Sequence, residues 1–323
     1  MKKLTFLIVM GVLIISLAFA QKKQQEGTTQ VDIYSLFVNV VSENFRLPLL
    51  GVINIAEGSH YLPQFGFITY NQNDFTSLQT SFINVTGGDF SGVQLGFVNT
   101  TVKSAHGMQL GFVNTVAGEK IQGLQMGFVN TAANGFDGAQ IGFINAAEKI
   151  NGLQLGFINY ADSIENGIPI GLISVVSDGG YRVVEFSTNE MAPVNIAFKI
   201  GVEKLYTTIN VSYNPTENDI SDALFFGAGL GSIFTIYNEF FFNPEMIFSH
   251  NVFDKKLFYL SLVPHLGYNL APGLGFVFGP SITWEYDGDA YGSAVPYSHA
   301  AKHKINNKNH LYVGGRIGIR FIW

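Results

Sequence analysis

The stretch Gln94-Leu-Gly-Phe-Val-Asn99 decides the fold, because the same six-residue pattern recurs at residues 109–114, 125–130, 140–145 and 154–159. Weaker copies lie on both sides, at residues 34–39, 49–54, 64–69, 79–84 and 169–174. Successive copies are 15 residues apart, with one interval of 16 and one of 14. A constant period of this length predicts a repeat architecture in which like units stack on one another.

Each copy has the pattern of a β-strand followed by a turn. Around the central glycine the residues alternate with period two, which places Phe97 and Asn99 on one predicted face and Gln94 on the other. Turn residues separate the strands, as at Asn134-Gly135. A second apolar residue precedes the next glycine in several units, namely Phe90, Ile121, Phe136 and Ile150.

Two architectures can use this unit. In a β-solenoid each unit is one coil, whereas in an antiparallel meander each unit is a strand plus a hairpin, and odd and even units differ in their surroundings. The sequence shows no 30-residue period, and a repeated inward Asn suits a hydrogen-bonded ladder at a coil corner. Asn134-Gly135 is a hairpin signal and favours the meander. We therefore predict a solenoid, with one continuous antiparallel barrel of about eighteen strands as the alternative.

The first twenty residues have the pattern of a signal peptide. Lys2 and Lys3 precede an apolar run, and Ala18-Phe19-Ala20 is an A-x-A cleavage site before Gln21. Residues 21–33 are polar and aperiodic, so they are expected to be a disordered lead-in. Cleavage changes the net charge from −6 to −8, because both lysines are lost, and this acidity excludes a nucleic-acid binder. The chain has no cysteine, so neither disulfides nor a lipid-anchored cysteine are available.

Beyond the repeats at residues 34–180, residues 181–323 predict longer strands with one strongly apolar face. In the last strand that face is formed by Leu311, Val313, Gly315, Ile317, Ile319, Phe321 and Trp323. Aromatic residues at both ends of such strands, opposite a small or polar face, are typical of transmembrane β-strands. His250 does not fit this pattern, because it is a polar residue on the predicted outward face. Eight strands are predicted, at 181–188, 193–200, 204–213, 222–234, 239–252, 256–270, 273–286 and 310–323. The fold class is therefore all-β, with a solenoid followed by an antiparallel barrel of about eight strands and a filled interior.

The terminal Phe321-Ile322-Trp323 resembles the last strand of bacterial outer-membrane barrels, where an aromatic end is a signal for the barrel-assembly machinery. The repeats, such as Gly152-Leu-Gln-Leu-Gly-Phe-Ile-Asn159, resemble a family of uncharacterised surface-repeat proteins of bacteria with two membranes. This resemblance implies an outer-membrane location with membrane lipid as a partner. It implies no activity and no site residues.

Candidate sites were each weighed against a structural role. Charged residues expected inside the barrel are Glu239, Glu245, Glu285, Arg316 and Arg320. An esterase-like group of Ser261, His265 and Ser281 lacks a nucleophile elbow and a clear acidic partner. His299 and His303 form a possible metal pair only if helical, and Asp287-Gly-Asp289 is a fragment of a calcium loop. The glutamine row could bind carbohydrate or a partner, although stacking alone explains it. We therefore predict no catalytic, cofactor or metal residues.

The expected function is a non-enzymatic outer-membrane surface protein that presents the repeats for adhesion, partner binding or envelope structure, with an unknown ligand. A porin or transporter formed by one large barrel is the first alternative, and an outer-membrane hydrolase is the second.

Overall fold

The computed structural model describes residues 32–216, 223–253, 257–288 and 301–323. The predicted signal peptide and nearly all of the predicted lead-in lie outside these ranges. No helix in the described ranges is long and apolar enough to span a membrane. The described chain forms a parallel β-solenoid of about 9 turns and a closed antiparallel barrel of 8 strands, which confirms the predicted fold class.

The solenoid consists of two parallel ladders that run along the stack of coils. One ladder carries the asparagines and the other carries the glutamines, and like residues pair in register, as in Asn99↔Asn114 and Gln94↔Gln109. The strands are β1 (Val38–Val41), β2 (Leu49–Leu50), β3 (Ile53–Ala56), β4 (Gln64–Phe65), β5 (Ile68–Asn71), β6 (Phe75–Thr80), β7 (Ile83–Thr86), β8 (Phe90–Leu95), β9 (Val98–Thr101), β10 (Ala105–Leu110), β11 (Val113–Val116), β12 (Ile121–Ala132), β13 (Phe136–Ile164), β14 (Ile168–Ile170) and β15 (Ile173–Val176). Because the pairing is parallel throughout this sheet, the meander and the eighteen-strand barrel are wrong.

The predicted faces of the repeat were wrong on one side of the central glycine. In the coil that contains β8 and β9 the strand is interrupted at Gly96 and Phe97, so alternation does not continue across the corner. Gln94 and Asn99 both point inward and are fully buried, whereas Phe97 is 45% exposed. A Cβ at Gly96 would lie 2.3 Å from the carbonyl oxygen of Ser81, so only glycine fits this corner.

The barrel closes because its last strand pairs with its first. The eight wall strands are β16 (Tyr181–Thr188), β17 (Val194–Val202), β18 (Leu205–Tyr213), β19 (Leu224–Gly231), β21 (Phe240–Asn251), β22 (Leu257–Ala271), β23 (Leu274–Asp287) and β25 (Asn309–Ile322), and the short strands β20 (Phe234–Tyr237) and β24 (Ala301–Lys304) pair with β21 and β25. Val184 pairs with Phe321 across the closing seam. Closure removes the free sheet edges that would otherwise expose unpaired backbone groups.

The outward side chains of the barrel are apolar, as predicted. Those more than a third exposed include Ile196, Phe198, Val211, Phe226, Met246, Phe248, Leu262, Leu266, Phe278, Ile282, Val313, Ile317, Ile319 and Phe321. The exception predicted at His250 is half-buried, and its Nδ1 lies 2.8 Å from the carbonyl oxygen of Asn251. By compactness the chain divides between Gly142 and Phe143, so the coils after this point belong to the same unit as the barrel.

Candidate functional site

Stacked amide side chains form ladders in the interior of the first unit, beside buried apolar residues such as Phe90 and Ile121. Nδ2 of Asn84 donates to Oδ1 of Asn99, and Nδ2 of Asn99 donates to Oδ1 of Asn114, both over 2.8 Å. The same Asn99 nitrogen also donates to the carbonyl oxygen of Leu110, over 2.9 Å, at the corner of the next coil. Each asparagine therefore links two coils and satisfies a backbone carbonyl, which is the corner ladder that the sequence predicted.

The glutamines form a second interior ladder. Nε2 of Gln94 donates to Oε1 of Gln79 over 2.7 Å, and Nε2 of Gln109 donates to Oε1 of Gln94 over the same distance. All three side chains are fully buried. This row is therefore part of the core and does not present amides to a carbohydrate or a partner.

The outer surface of the same coils carries a row of phenylalanines. The Phe82 and Phe97 rings are 4.9 Å apart with an interplanar angle of 3°, and Phe97 and Phe112 are 4.9 Å apart at 0°. Phe67, Phe82, Phe97, Phe112 and Phe128 are each 43–53% exposed. Leu95 and Val98 flank Phe97 in its coil, and the corresponding positions of the neighbouring coils also lack charge. We call this row of five rings and its aliphatic flanks the phenylalanine stripe.

The barrel interior contains a cluster of buried charges. Glu185 lies at its centre and accepts from Nη2 of Arg316 at 2.9 Å, Nε of Arg320 at 2.7 Å and Nζ of Lys199 at 2.5 Å. Glu245 also pairs with Lys199. These five side chains are 0–3% exposed, so each charge depends on its partners and not on water.

A buried histidine next to this cluster has no hydrogen bond in the described part of the chain. Neither ring nitrogen of His265 has a hydrogen-bond partner. Its Nδ1 lies 3.9 Å from Oε2 of Glu245, an oxygen that also has no hydrogen-bond partner. His265 is fully buried. Its ring therefore belongs to the packed interior and is not poised against a nucleophile.

The serines of the predicted esterase-like group have other partners. Ser281 donates to Oε2 of Glu190, and Oε1 of the same carboxylate accepts from Thr283 at 2.9 Å. The hydroxyl of Ser261 lies 2.9 Å from the Thr283 hydroxyl. Glu190 is in the connection between β16 and β17 and is 1% exposed, so this connection folds into the barrel and fills it. Among the described residues no hydrogen bond joins His265 to a serine, and a catalytic triad is not assembled.

The other predicted charges lie apart from the cluster. Glu285 is buried, and its Oε1 lies 3.1 Å from Nδ1 of His310. Glu239, which was expected inside, is exposed in the turn between β20 and β21, because the predicted strand 239–252 begins one residue later. His303 is exposed in β24, a strand and not the helix that a metal pair would require. His299 and Asp289 lie outside the described residues, and within the described ranges no group of three potential ligands could hold a metal ion.

Sequence reasoning did not identify Glu185, Glu190 or Lys199. A signal for the first and last was present, because each is a charged residue with apolar neighbours on both sides, as in Val184-Glu185-Phe186 and Phe198-Lys199-Ile200. Glu190 carries no such signal, since it lies in a connection whose inward fold depends on the closed barrel.

Within the second unit, the last solenoid coil packs against one end of the barrel. Oγ1 of Thr207 donates to the carbonyl oxygen of Gly171 at 2.5 Å, and Nη2 of Arg182 donates to that of Val176 at 2.8 Å. The pocket between Gly171 and Tyr206 has no room for a water molecule. The last coil therefore covers part of this end of the barrel, beside a pocket of about 580 Å³ lined by Tyr181, Phe241 and Tyr268. Comparison with known proteins adds no identity, since no family, no curated protein and no solved structure matches the chain.

Proposed function

We propose that this protein is a non-enzymatic outer-membrane protein whose closed barrel anchors a β-repeat module for partner binding or envelope structure. The apolar outward side chains of the barrel support the membrane location, because a closed barrel satisfies its backbone internally and offers lipid an apolar wall. The aromatic C-terminal strand, which closes the ring, supports insertion by the barrel-assembly machinery.

The observation that carries the binding role is the phenylalanine stripe. Five rings, each more than 40% exposed, stack in one row on a surface without charges. Contiguous exposed apolar surface on a folded protein is typical of an interaction site. The row is also rigid, since each ring is fixed by its neighbours and by a coil with a hydrogen-bonded interior, so little ordering entropy is lost on binding.

The filled barrel argues against a channel. Its interior holds the Glu185 cluster and the inserted Glu190 connection, and the coil around Gly171 covers part of the end at which the solenoid enters. In planar bilayers we expect purified protein to give no stable single-channel current. Steady conductance would favour a porin or transporter in its place.

The connections between wall strands favour one orientation. At the end where the solenoid enters, β17–β18 and β22–β23 are joined by the two-residue turns 203–204 and 272–273. The third connection at that end, residues 232–239, includes β20. At the opposite end the connections are residues 189–193, 214–223, 252–256 and 288–308, so they are longer on average. In outer-membrane barrels the short turns face the periplasm. This favours a periplasmic repeat module, and with it partner binding or envelope structure over adhesion to other cells.

Single-cysteine labelling tests both location and orientation, since the chain has no native cysteine. Asn166→Cys places a thiol on an exposed coil of the second unit, and His303→Cys places one on the long connection. On intact cells a membrane-impermeant maleimide is expected to label only the His303 variant, and to label both after permeabilisation. Labelling of the Asn166 variant on intact cells would contradict the orientation, and recovery of either variant outside the outer membrane would contradict the location.

A further inference from the structure

A groove indents the outer wall of the barrel. It has a volume of about 840 Å³ and extends over β21, β22, β23, β25 and the end of β16, with walls that include Phe242, Leu266, Phe278 and Ile317. That volume lies within the range of ligand pockets, which is roughly 300–1,000 Å³. Large side chains cover much of the remaining outward surface, so the groove must reflect residues of a different kind at this level of the wall.

The cause is a lateral row of residues that lack bulk or a backbone donor. Pro244 pairs with Pro264 across β21 and β22, and Pro280 pairs with Gly315 across β23 and β25. Between β22 and β23 the pairing stops at Leu262↔Ile282 and resumes at Leu266↔Phe278, which places Pro264 opposite Pro280. Three prolines and one glycine therefore form a single row around the barrel wall.

This row is unusual for the centre of a sheet. Proline has no N–H and removes a ladder hydrogen bond, so it is normally confined to edge strands and bulges. Here it lies in long central strands, and the β22–β23 ladder is interrupted at that level. Pro264 and Pro280, which line the groove, have no backbone N–H to offer an occupant, which suits a ligand that forms no hydrogen bonds at that level.

From this geometry we propose that the groove binds an acyl chain of a membrane lipid. The proposal rests on the membrane location proposed above. Arg316 also borders the groove, but its guanidinium is turned inward onto Glu185 and Ser187, at 2.9 and 3.0 Å, so no free charge faces the occupant. Thr188 and Asn189 are the other polar residues of the lining, and the remaining wall, with Phe242, Leu266, Phe278 and Ile317, is mostly hydrocarbon, for which a lipid tail is the complement in a membrane.

Photo-crosslinking in lipid nanodiscs tests the proposal. The protein is reconstituted in phosphatidylethanolamine and phosphatidylglycerol with a trace of phosphatidylcholine that carries a diazirine on one acyl chain, and crosslinks are mapped by mass spectrometry. Since association inside a membrane is driven by packing and not by the hydrophobic effect, we expect a modest enrichment, about threefold, at the groove residues Phe278 and Ile317 over the belt residues Ile196 and Phe248.

A matched pair of variants makes the test specific. A Cβ at Gly315 would meet nothing closer than 3.4 Å, so Gly315→Trp can fill the groove without disturbing the wall. Val313→Trp adds the same ring two residues away on the same outward face but outside the groove lining. The enrichment is expected to fall to the belt level in the first variant and to persist in the second.

The outcomes separate the two proposals. Equal labelling around the belt, or enrichment that survives Gly315→Trp, means ordinary boundary lipid and overturns the groove while the membrane location stands. Absence of acyl crosslinks at every belt position means that the barrel wall does not face lipid, and both proposals then fail.

Discussion

The solenoid and the barrel satisfy their inward polar side chains by different means. Both place apolar side chains outward and rows of polar side chains inward, and both also bury apolar side chains, such as Phe90 and Ile121 in the solenoid and Val183 and Val277 in the barrel. The solenoid fills its interior with neutral amides, as in the Gln94 and Asn99 ladders, and the barrel fills its own with charges around Glu185. The difference follows from symmetry. Stacked coils repeat along an axis, so an amide, which both donates and accepts, can bond to an identical residue in the next coil.

A closed ring of unlike strands offers no such repeat. An inward side chain of the barrel meets different residues across the lumen, and only complementary charges or shaped polar groups satisfy it there. Glu185 contacts three cations from two other strands, so in the barrel one residue supplies the counter-charge of several others. Damage is therefore expected to be severe and global in the barrel, and local and graded in the solenoid.

The strongest test of this contrast is Glu185→Gln. The substitution keeps the shape but leaves Lys199, Arg316 and Arg320 in excess of their counter-charge, and breaking a buried ion pair by removal of one partner costs about 3–5 kcal/mol. The temperature at which the folded, fast-migrating band disappears on detergent gels should drop sharply. Glu239→Gln, in an exposed turn, is the control and should behave as the wild type. Equal behaviour of the two variants would show that the cluster does not hold the barrel together.

The second test is the pH dependence of the solenoid. Burial, with a smaller contribution from the Arg46 charge, lowers the pKa of His60 from 6.5 to about 4. Between these values the unfolded state binds more protons than the folded state, so stability is fully present above pH 6.5 and declines as the pH falls towards 4. The shift corresponds to at most about 3 kcal/mol. Urea unfolding followed by circular dichroism at pH 7.5 and 5 measures the decline.

A substitution at the same position isolates its source. His60 stacks on Phe75, with ring centroids 6.3 Å apart, and Phe75 stacks in turn on Phe90 at 6.2 Å. His60→Phe should extend this row and abolish the decline between pH 7.5 and 5. A decline that persists unchanged in this variant would assign it to other groups.

The third test breaks one rung of a ladder. Asn114→Leu leaves the carbonyl oxygen of Met126 and the neighbouring amides of Asn99 and Asn130 without one partner each, at a cost of about 1–3 kcal/mol. Asn130→Leu should have a similar effect one coil further. Hydrogen exchange should increase in the coils on either side of the substitution, while the gel migration of the barrel stays unchanged. Neutral behaviour of both variants would remove the asparagine ladder as a source of stability.

The smallest effect is a gain in stability. Gly92, Gly107, Gly123, Gly138 and Gly152 occupy one position of successive coils with φ of 124–138°, and Ser77 occupies that position with φ of 140°. A non-glycine residue in this region is strained by about 1–3 kcal/mol. Ser77→Gly should therefore raise the urea midpoint slightly, by the equivalent of about 1 kcal/mol once the entropy of glycine is deducted. Ser91→Gly, at the adjacent exposed position, is the control and should not raise it.

The sequence predicted the architecture well because period and alternation are local properties. The predicted strand 273–286 differs by one residue at each end from the observed Leu274–Asp287, and the inward and outward faces of that strand are correct. Prediction failed where a single residue changes the geometry. Gly96 turns the coil by a corner, so Phe97 faces outward although strict alternation places it with the buried Asn99.

The candidate site was less accessible to sequence reasoning. Arg316 and Arg320 were placed inside the barrel correctly, but their shared partner Glu185 is more than 130 residues away in the chain. Glu185 and Arg320 are cross-strand neighbours at the closing seam, so their contact depends on strand register and barrel closure, and neither is encoded near either residue. The proline row was hidden for the same reason, since its members become neighbours only when β21, β22, β23 and β25 pair.

The in-register stacking of the coils has a consequence for how such a gene can change. Removing or duplicating one 15-residue unit, for example residues 90–104, would join Gln to Gln and Asn to Asn again, so both ladders would re-form across the new junction. Intervals of 16 and 14 residues also keep the ladders in register, as between Asn114 and Asn130 and between Asn145 and Asn159, whereas a length that does not restore this pairing would place turn residues in the core. Recombination between neighbouring repeats therefore changes the length of the module in whole coils, about 4.9 Å each, and leaves the barrel sequence untouched. The number of repeats, and with it the length of the module, can therefore change during evolution while the fold is kept.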